Sequence, residues 1–156
     1  MATLTQKETL LLKDEKSHED LCIKKYTKYS NEAEDPKLKQ LFSSILEHEN
    51  QHLNTINSIL NGQVPNVNQQ GQQGQQSQQN QQQNVKSTTG FSQKDCDFCQ
   101  DALTAEKYVS STYNTSIFEF KDHNIRQTLN HIQKEEQEHG EQIFNYMSEK
   151  GYYTTE

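Results

Sequence analysis

Apolar residues recur at intervals of three and four in two long stretches of this chain. In the first, Leu38, Leu41, Ile45, Ile56 and Ile59 mark a seam, interrupted in step by Glu49 and His52. In the second, Ile125, Leu129, Ile132, Ile143 and Tyr146 mark another, interrupted in the same way by Glu136 and His139. That period belongs to an amphipathic α-helix with one face turned to a core. Helix punctuation agrees. Thr5-x-x-Glu8 reads as a capping box and Ser92-x-x-Asp95 as a shorter acidic variant of one. Asp35-Pro36 reads as an N-cap followed by proline at the first helical position, and Asp122 takes the equivalent place further on. Asn61-Gly62 and Gly151 are natural stops. The predicted helices run over roughly 5–33, 36–60, 92–120 and 123–150, the longer ones on the order of 40 Å in length.

The two halves repeat. An offset of 87 residues lays Leu4-Thr5-Gln6-Lys7-Glu8 on Phe91-Ser92-Gln93-Lys94-Asp95 without a gap. The same offset lays Asp14 on Asp101, Tyr26 on Tyr113, Asp35 on Asp122 and Gln40 on Gln127. The unit is one helical hairpin, duplicated. Between the copies, residues 61–91 are nearly all Gln, Asn, Gly and Ser, with little to bury, so disorder is expected there. A flexible chain of that length spans roughly 30 Å, enough to return from one end of a bundle to the other. The tract is either a plain linker or a β-prone, cross-linkable segment that joins copies.

Composition narrows the picture. At 156 residues the length suits one domain, and the 29% apolar content suits the narrow core of a helical bundle. A net charge of −7 argues against a nucleic-acid backbone or an anionic membrane as partner. No apolar run approaches a membrane span, and the first residues lack the apolar core of a signal peptide, so synthesis in a cytosol is expected. Three cysteines give no disulfide framework. Cys96-x-x-Cys99 could bind zinc or exchange disulfides, but no second pair completes a tetrahedral site, and two half-buried helix positions explain it as well.

The candidate chemistry lies in the seams. Glu49-x-x-His52 and Glu136-x-x-His139 are each preceded by a glutamate at a distance of 30 residues, Glu19 and Glu106. A carboxylate from each of two helices and a Glu-x-x-His from each of two others form the dinuclear ligand set of ferritin-like bundles. Four carboxylates in a bundle interior without partners would cost several kcal/mol each or become protonated, and two divalent cations offset that directly. In such a site Glu49 and Glu136 would bridge, with Glu19, Glu106, His52 and His139 terminal. Carboxylate-rich ligation with one imidazole per metal suits two Fe or Mn ions better than zinc or copper. A hydrogen-bonded polar core without metal would use the same residues. Tyr26 and Tyr113, two helical turns beyond Glu19 and Glu106, read as core packing, as hydrogen-bond partners of the ligand carboxylates, or as a redox relay. His18, His48, His123 and His131 have no symmetric counterparts and are expected to be solvated or capping.

These motifs resemble the coat F family of spore coat proteins. The residues that carry the resemblance are LTQKE with LLKD, Glu49-Asn50-Gln51-His52-Leu53, Ala105-Glu106-Lys107-Tyr108 with SSTYNTSIFEF, and Glu135-Glu136-Gln137-Glu138-His139-Gly140. With its Gln-rich insert the chain is most similar to clostridial members. The resemblance covers all but the linker. It implies an all-α, ferritin-like four-helix bundle made in the mother-cell cytoplasm and deposited in the coat of a bacterial endospore. One domain over 1–156 is expected, with hairpins at 5–60 and 92–150 joined by one long crossover at 61–91.

Two functions fit. The first is a structural coat protein with a dinuclear site, its partners being other coat proteins or further copies of itself. In that role the Gln tract, Cys96, Cys99 and the Tyr152-Tyr153 tail are available for packing or cross-linking. The second is a di-iron or di-manganese oxidase, peroxidase or catalase-like enzyme acting on O₂ or peroxide, since paired metals cycle electrons in pairs. A storage cage is less attractive, and no rubredoxin-type pair of Cys-x-x-Cys motifs is present to supply electrons.

Overall fold

A computed structural model of the chain describes residues 3–64, 86–87 and 90–153. It contains four long helices, α1 (Gln6–Glu32), α2 (Pro36–Leu60), α3 (Gln93–Ile117) and α4 (His123–Lys150), and no strand among the described residues. The all-α four-helix architecture expected from the seams is what forms. Most of the Gln-rich stretch, and with it the expectation of disorder, lies outside the described residues.

Local chemistry sets most helix ends. Thr5 and Glu8 form the reciprocal capping box. Asp35 caps α2 ahead of Pro36, and Asp122 caps α4 through the amides of Asn124 and Ile125. Gly151 ends α4 with φ at +71°, a left-handed conformation that favours glycine. Two ends differ from expectation. Ser92 caps α3, but the Asp95 carboxylate does not turn back to it. It accepts instead from the amides of Glu34 (2.8 Å) and Asp35 (2.9 Å), tying the start of α3 to the α1–α2 turn. The third helix also stops at Ile117 rather than near 120. Arg126 Nη1 takes the carbonyls of Phe120 and Lys121, both at 2.8 Å, and the Lys121 amide donates to Glu8, so these backbone groups are satisfied outside a helix.

Contacts across the bundle define its topology. Along α1 and α3, Tyr29 meets Asp101, Tyr26 meets Glu106, Tyr113 meets Glu19 and Ser116 meets Glu15, so these helices are antiparallel. Along α2 and α4, Lys37 meets Glu149 and His52 meets Glu135, so this pair is antiparallel too. Since α1 and α2 form a hairpin, α2 runs parallel to α3. The connection between them therefore joins opposite poles of the bundle, as the crossover reading requires.

The core is a column of fully buried side chains that includes Leu12, Leu38, Phe42, Ile45, Ile56, Ile59, Ile125, Leu129, Ile132 and Ile143. Phe42, not Leu41, fills the core layer of α2, with Leu41 packed beside it. The 87-residue offset pairs Phe42 with Leu129, which the seam of α4 already contains. An i, i+3 spacing and an i, i+4 spacing both keep to one helix face, so pattern alone did not choose between neighbours. Cys96 and Cys99 are buried, at 5% and 0% exposure, rather than half-buried. Tyr152 is also drawn in. Its hydroxyl accepts from the Ser92 amide and its ring lies edge-on to Phe91, leaving Tyr153 the exposed member of the tail.

Candidate metal centre

The middle of the bundle collects all six residues singled out from the motifs. Glu19 comes from α1, Glu49 and His52 from α2, Glu106 from α3, and Glu136 and His139 from α4, and each is at most 2% exposed. The i, i+3 spacing puts Glu and His of each motif on one face of their helix. The arrangement has nearly two-fold geometry. His52 Nδ1 lies 3.1 Å from Glu136, 3.7 Å from Glu19 and 3.8 Å from Glu49. His139 Nδ1 lies 3.2 Å from Glu49, 3.7 Å from Glu106 and 3.6 Å from Glu136. Two groups of four follow, Glu19–Glu49–His52–Glu136 and Glu49–Glu106–Glu136–His139, each offering ligand atoms within 4.8 Å of one another. Glu49 and Glu136 are common to both.

Eight side-chain atoms here are buried without a partner in hydrogen-bonding geometry: both oxygens of Glu49 and Glu136, one each of Glu19 and Glu106, and Nδ1 of His52 and His139. All face the same small volume. Orphaned acceptors at this density are costly, and a cation answers them as no neutral group does. The donor set, four carboxylates and two imidazoles, fits two divalent ions of the iron or manganese type.

The surroundings push the titrations apart. Burial raises Glu19 and Glu106 well above the usual carboxylate range, against the pull of His52 and His139 respectively. Burial would also raise Glu49 and Glu136, but the close approach of His139 and His52 to Glu49, and of Glu106, His139 and His52 to Glu136, outweighs it and holds both low. The two imidazoles are raised well above their ordinary value. Burial opposes this, and the carboxylates around each overcome it. Left to themselves, these groups favour an ion-paired core of protonated histidines and central carboxylates.

Tyr26 donates to Glu106 and Tyr113 to Glu19, each crossing from one hairpin to the other. Each outer carboxylate is thus held by one hydroxyl, leaving its second oxygen for the centre. Burial, reinforced by the adjacent carboxylate, keeps both phenols protonated.

Several functional neighbours were not visible in the seams. His48 and His131, expected to be solvated or capping, contact the cluster's surroundings. His48 Nδ1 lies 3.0 Å from His139 Nε2, and Glu135 lies 2.8 Å from His52 Nε2 and 3.4 Å from His131. His18 lies 3.5 Å from Glu15, and His123 is exposed as expected. Glu15 is itself buried, held by Ser116 (2.7 Å) and Thr112 (2.9 Å). A charged residue one turn before Glu19 was the available signal. The thiols, by contrast, are quiet: burial pushes Cys99 up to about 12 and raises Cys22 as well.

A pocket of about 530 Å³ opens between α3 and α4, lined by Leu103, Glu106, Glu136, Gly140, Phe144 and Tyr153 among others. The repeat places Leu53 where α4 has Gly140, so the first hairpin carries a bulky side chain at the matching point.

Fold and cluster together define an all-α four-helix bundle with a buried carboxylate–imidazole centre. Residues 94–156, which include α4 and nearly all of α3, match the family described as Coat F domain. That stretch carries Glu106, Glu136 and His139. The chain is also 31% identical over 68 residues to "Uncharacterized protein YusN" of Bacillus subtilis (strain 168), an alignment covering 44% of this chain and 62% of YusN. The chain therefore spans less than two thirds of that relative. No solved structure matches it significantly. Among the described residues, no helix is long and apolar enough to cross a membrane.

Proposed function

We propose that this chain is a spore coat protein whose ferritin-like bundle binds two Fe or Mn ions at its centre. The match of the second hairpin to the Coat F domain supports the coat assignment. The observation that carries the metal reading is the convergence of eight partnerless buried ligand atoms from six residues on four helices. In this reading Glu19, Glu49, His52 and Glu136 would hold one ion, and Glu49, Glu106, Glu136 and His139 would hold the other. Tyr26 and Tyr113 orient the outer carboxylates. Bound ions would supply Lewis acidity and, if iron or manganese, paired one-electron changes. The chain's own residues hold the donors in place, exclude bulk water, and give up the imidazole protons when the site loads.

The protein is made in the mother cell and joins the coat through other coat proteins or further copies of itself. The oxidase, peroxidase or catalase-like alternative draws on one feature, the pocket beside the centre whose lining includes Glu106 and Glu136. Elemental analysis of protein expressed with iron and manganese supplied tests the centre. Close to two ions per chain are expected, with loss on Glu49→Ala or Glu136→Ala; a content near zero in the unaltered protein removes the dinuclear reading. Fractionation of mature spores tests the coat assignment, with recovery only from the soluble core counting against it.

A further inference from the structure

The duplication that makes the centre symmetric fails one step behind it. The 87-residue offset lays Glu19 on Glu106, Glu49 on Glu136, His52 on His139 and Tyr26 on Tyr113. At the next position the same offset lays His48 on Glu135. Each sits one residue before Glu49 or Glu136, and each faces the histidine of the other hairpin. Glu135 Oε2 lies 2.8 Å from His52 Nε2, and His48 Nδ1 lies 3.0 Å from His139 Nε2. Behind Glu135, His131 Nε2 stands 3.4 Å from its other oxygen, while the matching residue in the first hairpin is Ser44. His48 lies nearly coplanar with His139, the two rings inclined by 15°.

Both candidate ligand histidines present Nδ1 to the centre, so with an ion held at Nδ1 each would keep its one remaining proton on Nε2, facing Glu135 or His48. The acceptors differ in charge. A carboxylate draws on that proton and leaves the imidazole a stronger electron donor at Nδ1, whereas a neutral imidazole acceptor does so less. The six candidate ligands alone would give two equivalent positions. The residues behind them do not.

We infer that the two halves of the centre bind metal unequally, with the Glu19–Glu49–His52–Glu136 position filling first because Glu135 backs His52, and the position containing His139 filling second because His48 backs it. Glu135 and His48 are positioning residues for these sites. The inference rests on the dinuclear reading proposed above and goes beyond it by ranking the positions.

Titrating the full-length, metal-stripped protein with Mn²⁺ tests this, using calorimetry together with electron paramagnetic resonance to separate isolated from spin-coupled ions. The unaltered protein is expected to bind in two steps whose affinities differ by about 10–100-fold, the range typical of such outer partners. Isolated Mn²⁺ should dominate at one equivalent and coupled pairs at two. Glu135→Gln keeps an acceptor but removes its charge and should weaken the first step. His48→Glu gives His139 a carboxylate like that behind His52 and should strengthen the second step until the two converge. A gain of affinity is something a merely damaged fold would not produce. Two ions bound with indistinguishable affinity, or an unchanged separation in both variants, overturns the inference while leaving the dinuclear centre intact. No binding in the unaltered protein removes both.

Discussion

Asp35 is fully buried, yet it is one of the best-supported charges in the molecule. It accepts from the Lys37 amide (3.0 Å), Ser87 (2.7 Å) and Tyr146 (2.8 Å), with the Lys150 ammonium 3.0 Å away. Burial works against its ionisation, but the bonds from Ser87, Lys150, Tyr146 and Lys37 prevail and bring it from 3.8 to about 2. Because the folded value is depressed, its stabilisation is full above the ordinary value and is lost as pH falls through about 2. Melts from pH 6 down to 2 should show this loss, and Asp35→Asn should flatten it. Asp35→Ala removes a helix cap and the buried ion pair with Lys150, at a cost of roughly 3 kcal/mol in chemical denaturation. The central histidines shift the other way. Their raised basicity means that metal loading must expel their protons, so apparent affinity should fall as pH is lowered, with proton release visible in weakly buffered titrations.

Among the elements, α4 carries the larger share of unusual positions. Its Gly140 lies in the helix middle, where glycine weakens a helix. A Cβ there would meet Leu103 Cδ1 at 3.8 Å and Glu106 Cβ at 3.9 Å, both ordinary contacts. Gly140→Ala should therefore stabilise the protein by about 0.5–1 kcal/mol, measured by urea denaturation. Gly140→Leu, which copies Leu53, should fill the pocket and slow Mn²⁺ uptake in stopped-flow mixing without changing the final content. Unchanged uptake would show that ions enter elsewhere. The crossed bonds of Tyr26 and Tyr113 explain why two hairpins of one ancestry form a single bundle: each supplies the hydroxyl that the other's outer glutamate needs.

Across the whole molecule, the centre draws ligands from all four helices, so any ion that binds there resists their separation. Cations at about a hundred times their dissociation constant should stabilise the fold by roughly 2.7 kcal/mol, several degrees in melting temperature. A melt unmoved by Fe²⁺ or Mn²⁺ would contradict the proposed function. The cysteines bear on assembly. Cys22, Cys96 and Cys99 are all free and buried, so coat assemblies built from the folded chain should persist under reductant. Their release by dithiothreitol alone, followed on non-reducing gels, would point to thiol cross-links made from an unfolded or opened form.

Helix number, most helix ends, the duplication and the six central residues were all legible in residue order. They depend on short-range rules: capping, a period near 3.6, and a motif repeated at one offset. Phe42 against Leu41, the early end of α3, the turn of Asp95 toward Glu34 and Asp35, and the burial of Tyr152 were not legible, because each is settled by a partner distant along the chain. The same holds for His48 and Glu135. As a sequence, they are polar neighbours of Glu49 and Glu136 that differ between the halves. Folding sets each behind a histidine of the opposite hairpin, and that contact, made across the α2–α4 interface, turns a small departure from the repeat into a chemical difference at the centre.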